Sequence, residues 1–256
     1  MKILEVVNAL ERFAPLSLQA DFDNAGVQLG LTEREVSGAL LCLDVTEAIV
    51  EEAIRLGCNL IVSHHPLIFR KLRRITGEDY VQRVVMEAIR HDIAIVSMHT
   101  NMDVAVGGVN YKMAEKLGLK DLSFFGKKQE VDGVIGTLQQ SLAADDFILQ
   151  LKKAFGVECV MANQLLRREI SRVALCGGAG DFLLDDAIAA GADAFITGEM
   201  HYHQYFGHEQ QIQIAVIGHY QSEQYTNEIF RDIIQQNCPG VACHLTEVCT
   251  NPICYF

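Results

Sequence analysis

The feature that most limits the fold of this chain is residues 59–69, NLIVSHHPLIF. Its apolar, β-branched beginning, Leu60 to Val62, is typical of a buried parallel strand. Pro66 has no amide hydrogen to continue a strand ladder, so the strand ends between Ser63 and His65. His64 and His65 therefore lie at a carboxyl end, where open α/β sheets bind their ligands. For a histidine pair considered alone, the other reading is one buried, hydrogen-bonded ring beside one exposed ring.

Strand and helix patterns alternate on both sides of this segment. A strand over 39–43 leads to Thr46, a candidate N-cap, and a helix over 47–56. A helix over 79–91 and a strand over 93–97 follow the histidine pair. Strands separated by helices pair in parallel, so the pattern predicts an α/β fold whose strand tips meet at one edge.

Composition limits both the size and the partners of the protein. With 256 residues, either one large domain or two smaller interleaved domains would fit the length. The net charge of −12 opposes general binding to nucleic acids.

The sequence also indicates the cellular location of the protein. It has no long apolar run that would span a membrane, and Glu5 and Glu11 interrupt the first apolar stretch, which we interpret as an amphipathic helix and not a secretion signal. Eight cysteines without a CxxC pair favour a reducing, cytoplasmic location.

Later strand tips also carry residues that bind metals. His99 and Asp103 follow the strand over 93–97, and His219 and Glu223 follow a strand over 212–217. The last two are four residues apart, close to one helical turn, so their side chains can point the same way. A carboxylate can bridge two cations, whereas an imidazole binds one ion at a time, so Glu223 is the preferred bridge and Asp103 the next.

These observations predict a metal site with two divalent ions. Three imidazoles and two carboxylates suit zinc, iron, manganese or nickel and leave positions for water, which two such ions can turn into a hydrolytic nucleophile. The predicted ligands are His64, His65, Asp103, His219 and Glu223.

Four further residues near strand tips are predicted to assist this site without binding the metal. We expect Glu199 and His201 to transfer protons, and His99 and His203 to orient the ligands.

Two segments are candidates for binding an anion. The basic cluster Arg70, Lys71, Arg73 and Arg74 is either a solvated loop or an anion-binding rim beside the metal pocket. The glycine-rich turn over 177–180 lacks both a full dinucleotide fingerprint and a Lys-Ser/Thr ending, so a tight connecting turn is preferred to a phosphate cradle.

Six segments, taken in order, resemble the NIF-three-like dinuclear metal-centre family, often called GTP cyclohydrolase 1 type 2. They are DNAGVQLG, LDVT, IVSHHPLIF, MHTNMD, TGEMHYH and GHYQSE. The resemblance implies two interlinked α/β domains with mixed, mainly parallel sheets flanked by helices, here placed at 1–125 with 219–256 and at 126–218. It also implies a two-metal site on the same five ligands, and toroidal hexamers made from dimers. The chain departs from the family at Phe22, where tryptophan is usual.

Two functions follow as expectations. The first is a metal-dependent hydrolase, GTP cyclohydrolase-like or acting on another phosphate-bearing or cyclic amide substrate. The second is a non-enzymatic metal-binding or scaffold protein that forms a ring-shaped oligomer.

Overall fold

A computed structural model describes residues 1–126 and 131–254 of the chain. Two compact α/β units are present, the first comprising Met1–Ala105 with Thr226–Phe256 and the second Val106–Tyr225. The predicted domain boundaries lie instead at 125/126 and 218/219, and the assignment of domains stays a prediction. Within the described residues, no helix is long and apolar enough to cross a membrane.

The strands of both units are short. They are β1 (Gly26–Leu29), β2 (Ala39–Cys42), β3 (Leu60–Ser63), β4 (Ala94–Ser97), β5 (Lys120–Phe125), β6 (Gly133–Leu142), β7 (Met161–Ala162), β8 (Ile170–Cys176), β9 (Ala194–Thr197), β10 (Gln213–Val216) and β11 (Cys243–Leu245).

The helices alternate with these strands along most of the chain. They are α1 (Ile3–Phe13), α2 (Glu47–Leu56), α3 (Tyr80–Arg90), α4 (Thr100–Val104), α5 (Val109–Leu117), α6 (Ala144–Phe155), α7 (Leu184–Ala189), α8 (His219–Glu223) and α9 (Thr226–Asn237), with 3-10 turns at Leu16–Leu18, Asp181–Leu183 and Tyr202–Tyr205.

The sheet of the first unit has the strand order β1-β4-β3-β2-β11. The strands β11, β2, β3 and β4 are parallel to their neighbours, and only the edge strand β1 pairs antiparallel, with β4. Every residue of β3 is buried, as expected of a central parallel strand. The predicted strand end before Pro66 is confirmed, since β3 ends at Ser63.

The sheet of the second unit has the strand order β5-β6-β8-β9-β10-β7. Its centre, β8-β9-β10, is parallel, and β5, β6 and β7 pair antiparallel. The predicted fold class, mixed and mainly parallel sheets flanked by helices, is therefore confirmed.

Three local sequence patterns predict elements that differ from the structure. The Asp-, Asn- and Gly-rich segment over 21–30 predicts a turn, but it contains β1, which exists through its pairing with β4. The pattern over 157–161 predicts a strand, which is reduced to Met161–Ala162, because only these two residues pair with β10. The pattern from about residue 221 to 236 predicts one helix, and the structure has two, α8 and α9.

Asp193 joins two strands of the second unit through its carboxylate. One oxygen accepts hydrogen bonds from the amides of Ser171 (2.9 Å) and Arg172 (2.8 Å), and the other pairs with Arg168. Burial raises the pKa of Asp193, but the two amides and Arg168 lower it more, so the net pKa lies below the ordinary 3.8. The ionised carboxylate therefore stabilises the fold fully at pH values above the ordinary 3.8, and its contribution is lost as the pH falls through the lowered pKa.

We expect Asp193→Asn to lower the free energy of unfolding by about 1–3 kcal/mol at pH 7, because hydrogen bonds to a charged acceptor are weakened. Denaturant unfolding at pH 7 and at pH 3 measures this effect, which should shrink at the lower pH. The exposed Asp185, changed to asparagine, is the control. An equal effect of the two substitutions would contradict the role of Asp193.

Candidate metal centre

His64 follows β3 and is completely buried. Its Nδ1 lies 2.9 Å from the carbonyl oxygen of Met98. Because a carbonyl oxygen only accepts hydrogen bonds, Nδ1 carries the proton and Nε2 keeps its lone pair. That Nε2 lies 3.5 Å from Oδ1 of Asp103, on helix α4. The first unit thus brings together a nitrogen and an oxygen that can both bind a cation.

His65 is oriented by Asp44, which follows the neighbouring strand β2. The distance from His65 Nδ1 to Asp44 Oδ1 is 2.7 Å, and the hydroxyl of Thr250 donates to the other oxygen of Asp44 at 2.8 Å. Burial raises the pKa of Asp44, but the hydrogen bond and charge of His65 and the Thr250 hydroxyl lower it more. An ionised carboxylate therefore holds the proton of His65 on Nδ1, which leaves Nε2 for a metal.

His99 is held in the same way by Asp23. Its Nδ1 lies 2.8 Å from Asp23 Oδ1, and the amide of Thr100 donates to the other oxygen at 3.0 Å. Burial raises the pKa of Asp23, but the hydrogen bond and charge of His99 and the hydrogen bond from Thr100 reduce it to about 2.

The three imidazoles of the first unit form a group. The ring centroid of His99 lies 5.3 Å from that of His64 and 5.4 Å from that of His65. The three side chains can place one nitrogen each within 4.8 Å of the others, a separation that suits binding to one ion. His99 is thus placed as a candidate third nitrogen donor, and the orienting role expected from the sequence stays a prediction.

His219 and Glu223 lie together in the second unit, on helix α8. The distance from His219 Nε2 to Glu223 Oε2 is 3.1 Å, which agrees with the spacing argument from the sequence. Glu199, expected to transfer protons, accepts a hydrogen bond from His219 Nδ1 at 2.8 Å. Glu199 therefore orients His219 as Asp44 orients His65.

The glycine-rich turn after β8 supports Glu223. Three amides of the turn are used inside the protein: Gly177 donates to Asn110 (2.9 Å), Gly178 to Ser222 (3.0 Å) and Gly180 to Thr197 (3.0 Å). These amides are directed at protein acceptors, which favours the tight connecting turn over the phosphate cradle. A Cβ atom at Gly178 would lie 2.4 Å from Glu223 Oε1, so the turn is shaped around this carboxylate.

The remaining two predicted residues lie on an exposed stretch after β9. His201 is hydrogen bonded to Asp181, and this bond, with the charge of Asp181, raises the pKa of His201. His203 is in ring contact with Tyr202 and Phe206, at centroid distances of 5.3 and 6.2 Å. These contacts do not connect His203 to His219, and they give no support to an orienting role.

Sequence reasoning missed Asp23 and Asp44, which hold two of the histidines. The signal for Asp44 was present, because it comes just after Leu43, beyond the end of β2, and so lies at the same sheet edge as the end of β3. Asp23 follows no strand and reaches His99 from a turn 76 residues away in sequence, so its sequence signal is its place at the start of the motif DNAGVQLG.

A cavity of about 350 Å³ lies beside His65 in the first unit. Its wall includes Asp44, Thr46, Tyr80 and Thr250, together with apolar side chains. A space of this size accommodates a small molecule.

The donor set of each unit fits a divalent cation. Nδ1 of each of four histidines faces an oxygen acceptor, so the neutral form of each ring has its lone pair on Nε2, the ligand atom that zinc, iron, manganese and nickel bind. Asp103 and Glu223 add carboxylate oxygens next to His64 and His219, respectively. This mixture of nitrogen and oxygen donors is typical of hydrolytic metal sites.

Comparison with known proteins gives a consistent result. A family model described as Duf34/NIF3 (NGG1p interacting factor 3) matches residues 1–252. A protein of Clostridium perfringens named GTP cyclohydrolase 1 type 2 homolog is 34% identical over 229 residues, which is 87% of each chain. A Campylobacter jejuni protein of the same name is 31% identical over 258 residues and is covered over its whole length.

Solved structures show the same fold. A crystal structure of a Staphylococcus aureus protein has a TM-score of 0.90 and 25% identity, with 100% of this chain and 99% of that chain covered. The crystal structure of a Bacillus cereus protein related to NIF3 has a TM-score of 0.89, with the same coverage and 23% identity.

We expect Asp44→Asn to weaken metal binding by about tenfold, because the residue that fixes the proton of His65 loses its charge. Titration with Zn²⁺ against a chromophoric chelator measures the affinity. The control, Asp232→Asn, removes an exposed carboxylate from the same unit. Equal affinities of Asp44→Asn and the wild type would show that Asp44 does not act on the site.

We expect Gly178→Ala to weaken metal binding as well, because the new methyl group displaces the carboxylate of Glu223. Gly191→Ala is a matched control, since both glycines have a positive φ (59° and 74°) and a Cβ at Gly191 meets no described atom within 4 Å. Both variants should lose about 1 kcal/mol of stability through backbone strain. Only Gly178→Ala should bind less Zn²⁺, and equal binding by both variants would contradict the fit around Glu223.

Proposed function

Because the chain belongs to the Duf34/NIF3 family, we propose that it is a metal-dependent hydrolase. One observation carries the proposal: four histidines each have Nδ1 held by an oxygen acceptor, so that each presents Nε2 to a cation. A histidine that only fills space in the fold has no need of an Nε2 lone pair that is fixed in place by an acceptor on Nδ1.

In this proposal His64, His65, Asp103, His219 and Glu223 would hold two divalent cations. Zinc, iron, manganese and nickel all suit these donors. When bound, such cations lower the pKa of water and provide a nucleophile for hydrolysis at neutral pH.

Two residues are proposed for proton transfer. His201 is exposed, and the hydrogen bond from its Nδ1 to Asp181 raises its pKa, which favours the protonated form of the ring. This proton can be given to a leaving group. For Glu199, the contact with His219 supports an orienting role first and proton transfer second.

The substrate proposed is GTP, or another phosphate-bearing or cyclic amide compound. The names of the curated relatives refer to GTP. The basic side chains from Arg70 to Arg74 are exposed and follow the histidine pair closely in sequence, which favours an anionic substrate.

A non-enzymatic role as a ring-shaped metal-binding scaffold is the second candidate. Tyr202 and Phe206 are 72% and 57% exposed and lie with His203 in one aromatic cluster, a surface that suits burial against another copy of the chain. The proposed assembly is a toroidal hexamer made from dimers. A cytoplasmic location is proposed with either role, since all eight cysteines are free.

The test is elemental analysis of wild type beside Glu223→Ala, with products of GTP hydrolysis followed on the same samples. We expect about two metal ions per wild-type chain, and a parallel fall of metal content and turnover in the variant. Glu158→Ala, which removes an exposed glutamate of the same unit, is the control and should match the wild type.

Two metal ions without turnover on GTP or on other phosphate-bearing and cyclic amide compounds would favour the scaffold. The assembly would then dissociate when a chelator removes the metal, as measured by light scattering after size-exclusion chromatography. A wild-type protein that binds no metal after reconstitution would overturn both roles.

A further inference from the structure

Two phenylalanines of the first unit are exposed side by side. Phe22 is 58% exposed and Phe69 is 48% exposed, and their ring centroids lie 6.4 Å apart at an interplanar angle of 66°. Large aromatic side chains are usually buried in the core, so an exposed pair in contact indicates a surface suited to binding a ligand.

The two rings are held in place by their neighbours in sequence. Asn24 donates through Nδ2 to the carbonyl oxygen of Ile68 at 2.7 Å, and the amide of Ile68 donates to Oε1 of Gln28 at 3.1 Å. Both backbone polar groups of Ile68 are therefore fixed to the segment that carries Phe22. This arrangement preorganises the pair for a ligand.

The pair borders the histidine group of the first unit. The centroid of Phe69 lies 6.1 Å from that of His99, at an interplanar angle of 88°. Phe69 is therefore in ring contact with both Phe22 and His99, so a planar ring bound on this pair would lie beside the histidine group.

Four cations follow Phe69 directly in sequence, at Arg70, Lys71, Arg73 and Arg74. All four are exposed, and none forms an ion pair with a residue in the described ranges 1–126 and 131–254. Other exposed arginines of the chain, such as Arg83 and Arg168, do pair with a carboxylate. Leu72, between the four cations, packs against the core and anchors the loop. In a chain of net charge −12, such a cluster is suited to phosphate groups.

We propose that Phe22, Phe69 and the cations from Arg70 to Arg74 form a recognition site for a planar heterocycle that carries phosphate groups. The ring lies on the phenylalanines next to the histidine group, and the phosphates contact the basic loop. This inference rests on the proposed function, and it narrows the substrate class, because a cyclic amide that is both neutral and non-aromatic would use neither feature.

The experiment measures binding, not turnover, by isothermal titration calorimetry of the metal-loaded protein with four probes. GTP and ATP carry both features, guanosine carries only the ring, and inorganic tripolyphosphate carries only the anion. The variants are Phe69→Leu and the double variant R73Q/R74Q. The controls are Phe182→Leu, which changes a phenylalanine 54% exposed in the second unit, and R167Q/R172Q, which removes two other exposed arginines.

We expect Phe69→Leu to lower the affinity for GTP and guanosine by about tenfold, because stacking on an aromatic ring is lost. The affinity for tripolyphosphate should stay unchanged. R73Q/R74Q should lower the affinity for GTP and tripolyphosphate by about tenfold, because charged hydrogen bonds to phosphate are lost. The affinity for guanosine should stay unchanged. Both control variants should bind all probes as the wild type does.

The inference is overturned if neither nucleotide binds the wild type, or if both variants bind GTP as tightly as the controls do. The results that would overturn this inference differ from those that would overturn the hydrolase proposal. Binding with the expected pattern but without turnover would overturn only the hydrolase. Turnover of GTP with unchanged affinity in both variants would overturn only the recognition site.

Discussion

Parallel pairing of β3 with β2 on one side and β4 on the other is the constraint on which the candidate site depends. It aligns the carboxyl ends of three strands at one sheet edge. Asp44 follows the first of these strands, His64 and His65 the second, and His99 the third. Contacts between residues far apart in sequence, such as Asp44 with His65, then arise directly from strand register.

Hydrogen bonding at Nδ1 makes these histidines suitable metal ligands, because a proton held on Nδ1 leaves the lone pair on Nε2. The acceptor is a backbone carbonyl for His64 and a carboxylate for His65, His99 and His219. A carbonyl acts through geometry alone, whereas a carboxylate adds negative charge and makes the imidazole a stronger ligand. The lowered pKa of Asp23 and Asp44 keeps that charge in place at neutral pH.

Two glycines of the second unit leave space for residues of helix α8. A side chain at Gly178 would overlap the carboxylate of Glu223, and one at Gly198 would approach Cα of His219 to 2.9 Å. The turn after β8 therefore makes room for helix α8, where the sequence pattern alone indicated an anion cradle or a simple connection. The amides of this turn are directed at Asn110, Ser222 and Thr197, none of which is near it in sequence.

The sequence by itself determined the elements whose signals are local. The apolar run before Pro66 indicated β3 and its end, the pattern after Thr46 indicated α2, and spacing four apart placed His219 and Glu223 on one face of a helix. The ordered motifs also identified the family. Only the tertiary structure decided what depends on distant pairing: strand β1, the holding of His99 by Asp23, and the contact of Phe22 with Phe69. These features join segments tens of residues apart, so no local preference of the chain encodes them, and they form only when the sheet brings the segments together.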